Sequence, residues 1–293
     1  MKFRVLLYLA CLLLVISVSP VFAGPVGLYY LTGPSNPNHS AITVVQGNSV
    51  VGSWLSHEKY EFAIAVGQDV RTAGFQLSGV GNPKGSIYGL TGNYVTGTNF
   101  TSSPTGPWEF LDSTTDGTYN YLVYQDTNPI NPDTGANPNP YIGNVYRTDR
   151  NYGNMEYMFT IDGGGFGGIT YDPTNNSLWV SGYQGTPNAT KVRDYDLTSQ
   201  HNLLSEFDTG HTWNMALALD PITQTLWLLN GAGGAWNSPQ PLEQWSKNGE
   251  LLSMESVTGV AMEFGGEIIG PEPASFGLIG AGVLAIFLKR RRR

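Results

Sequence analysis

An internal repeat constrains this chain more than any other feature of its sequence. Ile169-Thr170-Tyr171-Asp172-Pro173, followed by Ser177-Leu178-Trp179-Val180, recurs as Leu217-Ala218-Leu219-Asp220-Pro221 followed by Thr225-Leu226-Trp227-Leu228, 48 residues later in both halves of the match. Each copy reads as strand, Asp-Pro turn, strand, because β-branched and aromatic residues flank turn formers. Beyond each Trp come a Gly/Pro loop and two further short strands, at 192–197 and 203–207 in one copy and at 242–245 and 251–254 in the other. Four short strands per unit, repeated along the chain, is the content of a propeller blade.

Weaker copies run from 62 to 100 and, with an insertion, from 108 to 160. Residues 28–54 hold only the last three strands of a unit, and residues 260–264 read as a lone first strand. Joined, the two fragments make one complete blade. The expectation is an all-β β-propeller of about five four-stranded blades, its ring closed by N- and C-terminal strands. Six or seven blades would follow if the insertion hides strands, and a β-sandwich or another all-β fold is the alternative. Composition agrees: 37 Gly and 18 Pro make many turns, only 13% of residues are charged, and 12% aromatic residues supply a core.

Charge is unevenly distributed. Between the two apolar terminal segments stand eight basic residues against all 23 acidic ones, a net charge of −15. Such a surface repels phosphate backbones and argues against a nucleic-acid partner. The single cysteine, Cys11, falls in the N-terminal apolar run, so the rest of the chain has no disulfide and no thiolate metal site.

Lys2 and Arg4, the apolar residues 5–18 and Val21-Phe22-Ala23 follow the order of a secretory signal peptide (residues 1–23), with signal peptidase cutting between Ala23 and Gly24. At the other end Pro271-Glu272-Pro273 precedes fifteen uncharged residues, 274–288, and then Lys289 and four arginines. A helix of that length covers roughly 22 Å of a roughly 30 Å hydrocarbon core. Snorkelling by Lys289 and inclusion of Ile268 and Ile269 would narrow the gap. The basic end stays in the cytoplasm, so what precedes it faces outward.

Pro-Glu-Pro, a short Gly-rich apolar segment and a terminal Arg cluster together resemble the PEP-CTERM sorting signal of Gram-negative bacteria. The resemblance covers residues 271–293 and implies recognition by exosortase, a membrane transpeptidase-like enzyme of species that make exopolysaccharide. It further implies an inner-membrane-anchored precursor, processing near Pro-Glu-Pro, and delivery to the outer envelope or extracellular matrix. The chain thus divides into a signal peptide, an exported propeller-like domain at 24–266, and a sorting tail at 267–293 with a transmembrane segment at 274–288.

In a propeller the long Gly/Pro/Asn-rich loops fall on one face and the tight Asp-Pro turns on the other. His39, His57 and His211 map to the long-loop face, with Tyr141, Tyr183, Trp213 and Trp236. Loops on a rigid scaffold carry binding residues, and exposed aromatic rings stack on sugars or anchor partners. The same rings can instead fold inward and pack their own loops. The ligand face expected here consists of His57, His211, Trp213, Trp236 and Tyr183.

No nucleophile elbow and no His-Glu-x-x-His pair is present. The glycine run at 163–168 leads into a strand without the Lys and helix of a phosphate cradle. The oxygen-bearing residues at 126–133 lack the Gly and closing Glu of an EF-hand loop. No cofactor, metal or catalytic set is therefore expected. The leading expectation is a non-catalytic exported propeller that binds exopolysaccharide or a protein. Its rival is an extracytoplasmic enzyme resembling propeller lactonases or lyases, for which His57, Glu58, His211 and Glu263 are the available groups.

Overall fold

The computed structural model describes residues 24–35, 39–74, 84–100, 109–126, 142–161, 167–183, 190–211, 214–231, 240–260 and 263–270. Strands dominate because β-branched and aromatic residues alternate with turn chemistry every few positions. Among the described residues, twenty strands form five four-stranded antiparallel sheets. The first sheet joins β1 (Leu28–Pro34), β2 (Ser40–Gln46) and β3 (Ser49–Leu55) to the C-terminal strand β20 (Gly265–Ile269), in the order β20-β1-β2-β3. The second is β4 (Glu61–Val66), β5 (Val70–Gly74), β6 (Ser86–Tyr88) and β7 (Tyr94–Gly97). The third is β8 (Glu109–Thr115), β9 (Tyr119–Asp126), β10 (Ile142–Asp149) and β11 (Glu156–Ile161). The fourth is β12 (Ile169–Asp172), β13 (Ser177–Tyr183), β14 (Thr190–Asp196) and β15 (Leu203–Asp208). The fifth is β16 (Asn214–Asp220), β17 (Thr225–Asn230), β18 (Pro241–Trp245) and β19 (Leu251–Ser256).

The first strand of each sheet lies innermost. β20 and β4, β4 and β8, β8 and β12, β12 and β16, and β16 and β20 are neighbours, so the architecture is a five-bladed β-propeller. Burial grades outward accordingly: β4 and β16 are buried at every position, whereas β7 is exposed at every position. One hydrophobic cluster fills each gap between blades. The repeated tryptophans occupy two successive gaps, Trp179 with Leu217, Leu219 and Leu228, and Trp227 with Tyr29, Leu31 and Ile268. Burying a Trp side chain removes about 150–250 Å² from water, so these two are principal anchors of the stacking.

Every blade also carries a β-bulge where its third strand meets its fourth, at Val44/Val45, Ile87/Tyr88, Val145/Tyr146, Asp194/Tyr195 and Gln244/Trp245. A bulge sharpens the right-handed twist, which each blade needs to turn its edge away from its neighbour's.

The C-terminal strand lies further along the chain than sequence reasoning placed it. Residues 260–264 were expected to be the strand, but Leu28↔Ile269 through Thr32↔Gly265 is the register that forms. The reason is steric. A Cβ on Gly265 would sit 2.3 Å from the Phe62 carbonyl oxygen, and one on Gly266 would sit 2.8 Å from that of Ala216. Only a Gly-Gly pair fits between β4 and β16 at this depth. Ile268 is therefore buried in the core, and Ile269 packs beside Tyr30, so neither extends the apolar tail. The strand ends three residues past the expected domain boundary at 266. Among the described residues no helix is long and apolar enough to cross a membrane. Residues 1–23, Pro271, Glu272, Pro273 and the segment 274–288 lie outside them.

Candidate functional site

Inner strands of a propeller splay too far apart to share a backbone ladder, so their N–H groups need other acceptors. Asp112, fully buried on β8, supplies two of them: it accepts the N–H of Ile169 on β12 at 2.9 Å and that of Gly266 on β20 at 2.9 Å. Threonines do the same elsewhere, Thr114 accepting from Tyr171 and Thr170 from Leu219, both at 3.0 Å. Burial drives the Asp112 carboxyl well above the ordinary range, and it pushes Glu267 on β20 up to about 8. Thr170 Oγ1 donates to Glu267 at 3.4 Å. The centre of the ring is thus held by acidic and hydroxyl side chains that bind strands together. Glu263 is buried there too, close enough to Tyr29 to raise its phenol pKa, after burial itself and alongside Asp112 and Glu267. Gly168 meets the backbone of Leu217, where a Cβ would sit 2.0 Å from the amide nitrogen. The glycine run is thus crowded against the neighbouring blade at this end.

The long-loop face carries two separate polar constellations. In the first, the backbone N–H of His57 donates to Tyr88 Oη at 2.6 Å, and its ring stacks on Tyr94 with centroids 3.8 Å apart and planes at 13°. Glu58 lies 3.5 Å from His57 Nδ1. Beneath them Glu61 opens β4, fully buried, accepting from Ser86 Oγ at 2.7 Å, Tyr88 Oη at 3.0 Å and the Glu58 N–H at 2.6 Å, with Thr72 Oγ1 as a further donor. Burial raises the Glu61 pKa against the pull of these donors.

The second constellation is the more organised. Glu243, fully buried on β18, receives Asn214 Nδ2 at 2.9 Å, Trp245 Nε1 at 3.0 Å, and Asn230 Nδ2. His211, in the connection entering β16, brings Nδ1 to 2.7 Å from Glu243 Oε1 while its side chain stays 32% exposed. Its backbone is pinned by the Thr190 N–H at 2.8 Å, and Thr209 Oγ1 donates to Asn214 Oδ1 at 2.8 Å. The contact is one of proximity: among the described residues His211 Nδ1 has no partner of hydrogen-bond geometry, and the imidazole stands against the carboxylate without sharing a directed bond. The ring of Trp245 stands edge-on, 6.3 Å from the imidazole at 67°. The arrangement presents a part-exposed imidazole beside a fixed, buried carboxylate to any ligand at this end of the blade.

Of the expected ligand face, His57 and His211 each engage their own blade's residues, and the structure does not bring them into one cluster. Trp213 and Trp236 lie outside the described residues, as does the side chain of Tyr183. Among the described residues no three His, Cys, Asp or Glu side chains gather as a metal donor set. Sequence reasoning missed Glu61, Glu243, Asp112 and Glu267. The signal was a single acid next to large apolar residues in a short strand, as in Glu61-Phe62-Ala63-Ile64 and Leu242-Glu243-Gln244-Trp245.

Comparison with known proteins bears on the tail and on the fold. The model of the PEP-CTERM protein-sorting motif matches residues 271–293. No curated protein matches the chain. Among solved structures, one from a nidogen/laminin complex is similar over 84% of this chain and 98% of its own, at 11% identity and a TM-score of 0.48. Apo AztD from Citrobacter koseri is similar over 82% of this chain at 10% identity and a TM-score of 0.36, and the Dos1 propeller over 79% at 13% and 0.42. The matches span 62% and 56% of those two chains. Five blades followed by a PEP-CTERM motif make this an exported, membrane-processed protein with a propeller-like domain and an exosortase sorting signal.

Proposed function

We propose that the protein is displayed in the outer envelope or extracellular matrix, where its long-loop face binds exopolysaccharide without catalysing a reaction. Signal peptidase removes residues 1–23 and the 274–288 segment holds the precursor in the inner membrane until exosortase acts. The observation that supports this best is the His211–Glu243 pair. A fully buried carboxylate, itself held by three donors, stands 2.7 Å from one imidazole whose backbone is pinned by Thr190, at the mouth of a rigid blade. Preorganised polar groups of this kind bind sugar hydroxyls at little conformational cost, and Trp213 and Trp236 stand in the adjoining loops of the sequence.

The test is retention of the full-length chain, in mild detergent, on the host's own exopolysaccharide. His211→Ala and Trp236→Ala should each weaken retention about tenfold, the loss of one good polar or stacking contact. Undiminished retention by both variants would remove the long-loop face from the reading.

A second reading, an extracytoplasmic lactonase or lyase, rests on the same pair because a His beside a carboxylate is the pairing that general bases use. Turnover of a sugar lactone that disappears in His211→Gln, with folding intact, would replace the first reading.

A further inference from the structure

On the opposite, tight-turn face, a cleft of about 510 Å³ opens between the second and third blades, lined by Gly67, Gln68, Asp69, Arg71, Gly117 and Arg150. We propose that this cleft binds a small sugar acid, its single carboxylate held between Arg71 and Arg150. The inference stands apart from the long-loop reading, and either can fail without the other.

The repeat supplies the comparison that makes this place unusual. At the corresponding junction of the fourth and fifth blades, the Asp172 turn takes one cation, Lys247, from the next blade's last turn. That ammonium meets Asp172 Oδ2 at 2.5 Å, Gln224 Oε1 at 2.9 Å and Thr174 Oγ1 at 3.5 Å, so its three N–H bonds have three acceptors. At the second junction Asp69 plays the part of Asp172 and Arg150 that of Lys247, but Arg71 is added. Arg71 grips Asp69 through Nε at 2.9 Å and Nη2 at 2.8 Å and donates Nη1 to the Arg150 carbonyl at 2.7 Å. Arg150 reaches Asp69 at 3.3 Å and Asn120 Oδ1. Two guanidinium groups carry about ten N–H bonds between them, and among the described residues these contacts use half of that number. One carboxylate faces two cations, and donors remain.

The flanking acids do not supply the missing acceptor. Asp149 turns its oxygens to the N–H groups of Asn151 and Gly153 and to Asn154. Asp116 turns its own to Thr118, Tyr119 and Tyr121. Their charges still temper the field, which suits one planar carboxylate better than a dianion. Burial first, and the like charge of Arg71 in addition, hold the Arg150 pKa below that of a free guanidinium, so an added anion relieves a standing cost. Guanidinium matches carboxylate in a planar, two-bond fork. The cleft has the size of a small-molecule site, and the amide of Gln68, which lines it, offers a partner for hydroxyl groups.

Gly67 provides a clean block. Its φ is not in the left-handed region, and an added Cβ would meet only Arg150 Nη2 at 3.4 Å and Thr115 at 4.0 Å. Titrate the full-length chain in detergent with glucuronate, glucose and inorganic sulfate, and follow the heat of binding. Glucuronate should bind at one site, with glucose and sulfate at least tenfold weaker. Gly67→Glu, which sends a carboxylate into the cleft, should weaken glucuronate at least tenfold with a Tm no lower than the parent's, and Arg71→Gln should weaken it likewise if it folds. The proposal is overturned if glucuronate does not bind or if Gly67→Glu binds it normally. Sulfate matching glucuronate would overturn the sugar-acid assignment in favour of a bare-anion site.

Discussion

Asp112 Oδ1 accepts the backbone N–H of Gly266, joining β8 to a strand 154 residues further along the chain. The same carboxylate holds Ile169 through its other oxygen, so one side chain fastens three inner strands. Replacing it removes two cross-strand acceptors and leaves their donors buried, at about 1–3 kcal/mol each. Asp112→Ala should therefore lower unfolding free energy by several kcal/mol, and Asp112→Asn by less, read from urea denaturation.

Glu267 gives a pH signature. Its pKa in the folded chain is about 8, raised by burial, against an ordinary carboxyl value near ~4.3 in the unfolded chain. Between these values the native state binds the proton and the unfolded state does not. Stability contributed by this group is therefore full below about pH 4 and declines as pH rises towards 8. Subtracting the Tm–pH curve of Glu267→Gln from that of the parent should leave a difference that falls across this window and is flat above it. A flat difference throughout would contradict the raised pKa.

Trp179 and Trp227 are 2% and 0% exposed, each at a blade-to-blade gap. Trp→Ala at either position should cost about 3–5 kcal/mol. The double variant should come close to the sum, because the two side chains belong to separate clusters. Equilibrium denaturation of the set checks this.

Asp172 has a fully buried side chain, and burial raises its pKa less than Lys247, Thr174 and Trp179 lower it. Lys247→Met keeps the aliphatic stem and removes the charge. The expected cost is about 2 kcal/mol at pH 7. Since the partner lowers a carboxylate pKa, that cost should shrink as pH falls below about 4.

How much of this was legible in the sequence depends on what each residue had to disclose. Trp179 and Trp227 fall at equal places in matching segments, and a gap between blades demands the same large ring each time. The repeat therefore announced itself at the core. The bulge positions did not, although Tyr88, Tyr146, Tyr195 and Trp245 all follow one. Aromatic residues in strands are common, and only backbone register distinguishes these. Gly265-Gly266 looked like the end of a strand because glycine lacks strand propensity, whereas its bare backbone is what admits β20 between β4 and β16. Glu243 and Asp112 were passed over for a related reason. An acid beside large apolar residues signals a buried partner, but the partners, Asn214 and Asn230 in one case and Ile169 and Gly266 in the other, come from elsewhere in the chain. Arg71 and Arg150 were 79 residues apart and counted only as two of eight cations.

β20 ends at Ile269 and the sorting motif begins at Pro271, with Gly270 alone between them. Among the described strands, the one that adjoins the motif is also the one that completes the first blade. A chain truncated by even a few residues before the motif would lose its postal address and its final structural piece together. Address and closing strand therefore share one short stretch, so a single break ahead of Gly265 removes both from the blades that remain.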